Sequence, residues 1–186
     1  MSNWFEDLGA TLDMVWHRLE AGLSEDGAAA RYPAFANVGV NDGAEARIVR
    51  LRGVDRDLGR VEFHTDLMSD KVDQLARNPC ASLLIWEAPL GFQIRLRVWA
   101  TVLSGAAVAH LWPDIPPPSQ RAYGGMPPPG QPMAGPEVHE RAIDPARLAV
   151  VICAVQAIDT VNLTEPRHHR ALFQRKDDFA GRWLAP

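Results

Sequence analysis

A mainly β protein, a β-barrel carrying helical additions, is the expected product of these 186 residues. Six or seven segments are either wholly apolar and β-branched or alternate apolar with polar at period two, as half-buried strands do. Only two segments carry helical periodicity, and turn residues separate nearly every strand from the next. No duplicated segment is visible, so 1–186 reads as a single domain large enough to bury one substantial core.

The elements follow in order. Trp4, Phe5, Leu8, Leu12, Val15, Trp16 and Leu19 recur every three or four positions, which predicts a helix over 3–22, capped by Ser2 and ended by Gly22. The apolar run 34–40 closes on Asn41-Asp42-Gly43, a turn signal between two apolar runs, and a hairpin partner follows near 45–54. Residues 60–65 form the next strand, with Val61, Phe63 and Thr65 on one face. Ser69 should cap a helix to about Arg77, which Pro79 stops. Residues 81–86 and 91–102 read as two strands, the second with Ile94, Leu96, Val98 and Ala100 opposite Gln93, Arg95, Arg97 and Trp99. Residues 113–136 hold nine of the fifteen prolines, so this stretch is a loop, broken by one helical turn near 119–123 and suited to a lid or a subunit contact. Residues 148–158 form a central strand, and the last strand begins at Arg170 and turns at Lys176-Asp177-Asp178.

Composition removes several function classes. A net charge of -4 argues against a general nucleic-acid surface, which needs a basic patch. The first residues lack a basic start and an apolar run, and no apolar run approaches the ~18 residues of a membrane span. The expectation is a cytoplasmic protein with no membrane partner. Cys80 and Cys153 both flank apolar strand-like runs, where a free thiol behaves as a small buried hydrophobe, and they frame neither a disulfide nor a zinc site.

Chemistry concentrates between residues 46 and 99, where arginines, hydroxyls, a lysine and an amide suit a phosphorylated, flat, heteroaromatic ligand. Lys71 lies in the first turn of a helix, whose free N–H groups and partial positive charge favour an anion. Hydroxyls at Thr65 and Ser69 would add hydrogen bonds to a phosphate. Arg47 and Arg52 are five apart and point to opposite faces of an ideal strand, so they share one ligand only across a strand end or through a bulge. The Gln93 amide can both donate to and accept from a ring edge. His168 and His169 are adjacent, so in a strand they project oppositely and do not define a metal site. Gly124-Gly125 does not open a helix after a strand, and no Gly-x-Ser-x-Gly elbow occurs.

In their shared order these residues resemble the flavin mononucleotide (FMN) site of the pyridoxamine 5′-phosphate oxidase-like split-barrel family. The likeness extends to Trp4-Phe5-Glu6-Asp7-Leu8, His64-Thr65-Asp66, Ser69-Asp70-Lys71-Val72, Asn78-Pro79, Gln93-Ile94-Arg95, His168-His169-Arg170-Ala171 and Trp183-Leu184-Ala185-Pro186. It is greatest toward a bacterial branch typified by cyanobacterial flavoproteins of unassigned substrate. The resemblance implies a six-stranded FMN-binding split β-barrel, a homodimer with FMN at the subunit interface, and an FMN-dependent oxidoreductase acting on a small molecule. By position, Arg47, Arg52, Thr65 and Lys71 would hold phosphate and ribityl groups, with backbone at Ile48 and Val49 beside the ring. His64, Ser69 and Arg170 complete the implied cofactor set, and Gln93 would come from the same or the partner subunit. Arg167, His168 and His169 carry the implied substrate motif in two alternative registers, and Arg121 and Tyr123 are the loop's contributions.

Departures accompany the likeness. The oxidases commonly have arginine where this chain has Asp70, and tryptophan where it has Thr160 or Val161. Alternatives implied by the same fold are a pyridoxamine or pyridoxine 5′-phosphate oxidase proper, a non-catalytic flavin or haem carrier or sensor, and a deazaflavin-using relative.

Overall fold

A computed structural model describes residues 3–164 and 166–186 and forms one antiparallel sheet rolled on itself, with nine strands among the described residues. These are β1 (Ala34–Val38), β2 (Ala44–Ile48), β3 (Leu51–Asp55), β4 (Arg60–Asp66), β5 (Cys80–Glu87), β6 (Phe92–Ser104), β7 (Leu148–Asn162), β8 (His169–Gln174) and β9 (Arg182–Leu184). The ladder runs β2-β1-β5-β6-β7-β4-β3, with β8 and β9 continuing from β7. Strand β7 divides its second edge: Leu148–Ala154 pairs with β4, and Ala157–Asn162 pairs with β8. The changeover coincides with a register shift against β6 at Arg97/Val98, where an unpaired Gln156 kinks the strand.

The strand expected over 45–54 is two strands. Strand β2 pairs with β1, β3 pairs with β4, and the Val49 N–H donates to the Pro33 carbonyl at 3.1 Å, extending the first pairing by one residue before the chain turns to the second. Residues 49 and 50 are thus a barrel corner, a feature that alternation alone does not reveal. Together with the short β9, this split raises the strand count above the six or seven expected.

Helix α1 (Leu8–Ser24) buries Thr11, Val15, Trp16, Leu19 and Gly22, a stripe at helical spacing. A short 3-10 turn, Trp4–Glu6, precedes it, and Asp7 caps it by accepting the Ala10 N–H at 2.7 Å. The expected cap, Ser2, lies outside the described residues, and the helix starts later than residue 3 because Asp7 offers the capping carboxylate. Gly22 does not end the helix. A Cβ there would stand 2.7 Å from the Ala30 carbonyl carbon, so glycine serves close packing of α1 on the following turn.

Phe35, Phe63, Phe92, Phe173 and the inward residues of β6 fill the barrel, and Trp4 packs edge-on to Phe92 at 4.8 Å. Cys153 joins this core, and burial pushes its thiol up to about 12. Cys80, expected to be buried, is exposed because it starts β5 at the sheet's open face. The proline-rich loop contains helix α3 (Pro117–Gln120) and packs Ile115 and Tyr123 with Val108, Leu148 and Val150 in a second small core. No described helix is long and apolar enough to cross a membrane.

Candidate functional site

Helix α2 (Asp70–Arg77) starts as expected at Ser69, but the Ser69 hydroxyl makes no cap. It lies 3.1 Å from the Thr65 hydroxyl, and the Lys71 ammonium donates to both, at 2.9 Å to Thr65 and 3.0 Å to Ser69. Among the described residues no carboxylate lies within ion-pair distance of Lys71. Burial, and then the neighbouring Arg47 guanidinium, push the Lys71 ammonium below its usual range; Asp66 and Asp70 pull only partly the other way. Two cations and two hydroxyls therefore converge at the end of β4, in a setting where a phosphate would find charge-assisted donors.

Arg47 is oriented by residues that sequence reasoning missed. It donates to the Asn37 side-chain oxygen and, at 3.3 Å, to the Gln74 side-chain oxygen, which also accepts from Asn37 at 2.9 Å. Asn37 and Gln74 are both buried. The available signal was an asparagine inside the otherwise apolar run 34–40. Asp70 is exposed and faces the proline-rich loop: a Cβ on Gly130 would meet its carboxylate at 2.7 Å.

Arg52 belongs to a different neighbourhood. A register shift between Leu51 and Gly53 makes it the extra residue of a β-bulge, the condition under which it could escape strict alternation. Alternation places His64 on the face of β4 opposite Phe63 and Thr65, and His64 pairs with Val150 on β7. Both its ring nitrogens are buried without a hydrogen-bond partner. Burial first, and the Arg52 charge second, hold its imidazole down at about 4, so it is neutral at pH 7. Tyr123, 4% exposed, packs with that same Val150, and burial raises its phenol. Arg121, its companion in the expected substrate set, is exposed.

Asp66 fixes this corner. Its carboxylate accepts from Arg147 at 2.9 and 2.7 Å, from the Met68 N–H at 2.8 Å and from the Gly124 N–H at 3.0 Å, tying the proline-rich loop to β4. Gly124 has a φ of +103° and leaves no room for a Cβ, which would stand 2.7 Å from the Asp144 nitrogen.

The remaining expected residues gather elsewhere. Gln93 lies on the outer face of β6, opposite Trp86 on β5 and Val161 on β7, and Val161 in turn faces Arg170 on β8. Arg170 donates to Asp159 at 3.1 and 3.0 Å, Arg95 donates to the same carboxylate, and Arg97 stands 3.7 Å away. Burial would raise the Asp159 carboxyl, but hydrogen bonds from Arg170 and Arg95 outweigh it and hold the group below the usual range. The same bond raises the Arg170 guanidinium. His169 is wedged between the Phe5 ring at 5.2 Å and the Trp183 ring at 6.2 Å, while Arg167 and His168 are exposed. Ile48 is exposed and Val49 is buried.

The expected set thus falls into three groups within one chain. Arg47, Thr65, Ser69 and Lys71 meet; Arg52, His64 and Tyr123 share the other face of β4; Gln93 and Arg170 sit together far off. Ala149, opposite Thr65, and Val161, opposite Gln93 and Arg170, are separated by roughly 40 Å of extended strand.

No family model and no curated protein matches this chain. Solved structures do. A pyridoxamine 5′-phosphate oxidase-related, FMN-binding protein from Nostoc punctiforme covers 100% of this chain and 99% of its own at 22% identity and a TM-score of 0.75. PhzG from Burkholderia lata, in complex with tetrahydrophenazine-1-carboxylic acid, covers 100% and 98% at 18% identity and a TM-score of 0.75. A protein of the pyridoxinephosphate oxidase family from Clostridium acetobutylicum, related to general stress protein 26, covers 92% and 98% at 11% identity and a TM-score of 0.62. Its rolled nine-stranded sheet, with α1 packed on one side and a long loop after β6, gives this chain the fold of the pyridoxamine 5′-phosphate oxidase-related, FMN-binding proteins.

Proposed function

We propose that the protein binds FMN and uses it as an oxidoreductase on a small substrate in the cytoplasm. The observation that carries this reading is the Lys71 ammonium held by two hydroxyls and facing Arg47, with no carboxylate paired to it among the described residues. A fold that half-buries a cation without a counter-ion carries an unfavourable charge until an anion arrives, and a phosphate monoester suits two cations and two hydroxyls. Bound FMN would supply hydride acceptance and reoxidation by a second acceptor. The chain's own part is to hold the phosphate end through Arg47, Thr65, Ser69 and Lys71 and to exclude water around it.

The working unit in this reading is a homodimer. Gln93 and Arg170 cannot reach the Lys71 cluster of their own chain, and the sheet face between the two groups exposes Ile48, Leu84, Trp86 and Trp99. A second copy laid on that face would bury those side chains and bring Gln93 and Arg170 of one chain to the cradle of the other.

Two measurements test this. Lys71→Ala should lower FMN affinity by at least about tenfold while riboflavin, lacking phosphate, changes by less than about twofold. Equal losses for both ligands would refute the placement. Leu84→Lys should convert dimer to monomer in sedimentation and abolish FMN binding together; a monomer with full FMN affinity would rule out the shared site.

A further inference from the structure

We propose that Asn37 and Gln74 are positioning residues of the anion cradle, and that their neutrality is what suits them to it: they fix the Arg47 guanidinium and leave its charge for a phosphate. The inference rests on the flavin reading for the ligand's identity, while the arrangement is a property of this chain. Three elements meet here, with Asn37 on β1, Arg47 on β2 and Gln74 on α2. Gln74 follows Lys71 by three positions and shares its face of the helix, so both cations of the cradle depend on α2.

The hydrogen bonds admit one orientation of each amide. The Asn37 nitrogen donates to the Val38 carbonyl and to the Gln74 side-chain oxygen, both at 2.9 Å, so its own oxygen is the atom left for Arg47. The Gln74 oxygen takes two donors, Asn37 and, at 3.3 Å, Arg47, which uses both of its lone pairs. At 5% and 6% exposure, neither amide can turn to water instead. Phe35, across the ladder from Arg47, adds its ring face at 6.0 Å.

Elsewhere among the described residues, a buried side chain that accepts from an arginine is a carboxylate. Asp66 takes Arg147, Asp159 takes Arg95 and Arg170, and Glu87 takes Arg18. Arg47 has amides in that place. The Glu45 carboxylate stands 3.7 Å from it, but that side chain is 54% exposed and water screens the pair. A carboxylate at position 74 would satisfy the same two donors and cancel the guanidinium charge away from solvent.

Gln74→Glu makes that change, with FMN and riboflavin affinities read by flavin fluorescence on the full chain. FMN should bind at least about tenfold more weakly than to the parent, riboflavin within about twofold, and the urea midpoint without ligand should hold or rise. Gln74→Met keeps the length and helix preference but removes the acceptor. It should weaken FMN by about three- to tenfold in the parent and by less than about twofold in an Arg47→Met background, because its effect passes through Arg47. Undiminished FMN affinity in Gln74→Glu, or equal losses from Gln74→Met in both backgrounds, would overturn the inference. If the parent does not bind FMN, the flavin reading falls alone, and inorganic phosphate titrated calorimetrically into the same variants should show the same losses. A parent that binds neither overturns both.

Discussion

Arg147 and Lys71 are two cations at the same end of β4, and the fold treats them oppositely. Arg147, 9% exposed, has its counter-ion built in: Asp66 accepts from it at 2.7 and 2.9 Å and spends its remaining oxygen on the loop. Lys71 has only the Thr65 and Ser69 hydroxyls, with Arg47 pressing on it from the side. A cation paired within the chain is architecture, whereas a cation left with dipoles alone is an open valence for something that binds. The Asp159 cluster repeats the first pattern with Arg95 and Arg170.

The sharpest way to break this contrast is Asp66→Ala. It strands the Arg147 charge and frees the loop, and should cost about 3–5 kcal/mol in urea denaturation. A loss below about 1 kcal/mol would place Lys71 and Arg147 in the same class after all. Next comes acid. His64 titrates at about 4 in the fold against 6.5 in a free side chain, so between those values the unfolded chain binds the extra proton. Stability should therefore rise with pH from about 4 to 6.5, by up to roughly 3 kcal/mol, and His64→Gln should flatten that rise.

Lys71→Met sharpens the contrast from the other side. Without ligand it should leave stability unchanged or raise it by about 1 kcal/mol, because it removes a desolvated charge. The lowered Lys71 ammonium also predicts an alkaline signature. Between its folded value and 10.5 the unfolded chain holds more protons, so stability should climb as pH rises through that window, and the Met variant should lack the climb. Smallest of all, Arg121→Ala should stay within about 0.5 kcal/mol of the parent, since the side chain is exposed.

Much of this was legible along the chain. Period-two alternation marks the inward face of β6, and the helix start at Ser69 puts Lys71 in the first turn, within reach of an anion. What alternation could not supply was partnership. Arg47 depends on Asn37 and Gln74, ten and twenty-seven residues away. Arg170, an expected flavin ligand, is oriented by Asp159 across the β7–β8 ladder. The break at residues 49–50 was hidden for a related reason: nothing local distinguishes a continuous strand from one that changes neighbours, because both segments alternate. The facing of Arg52 could not be read from alternation, because a single extra residue in β3 resets which way every following side chain points.

That break carries a consequence for how the barrel opens. The Val49 amide, bonded to Pro33 at 3.1 Å, is the last rung of the β1–β2 pairing before the chain turns away to β3. The β1–β2 hairpin cannot fray past it without releasing that amide, so deuterium should enter at Val49 only when this end of the hairpin comes apart.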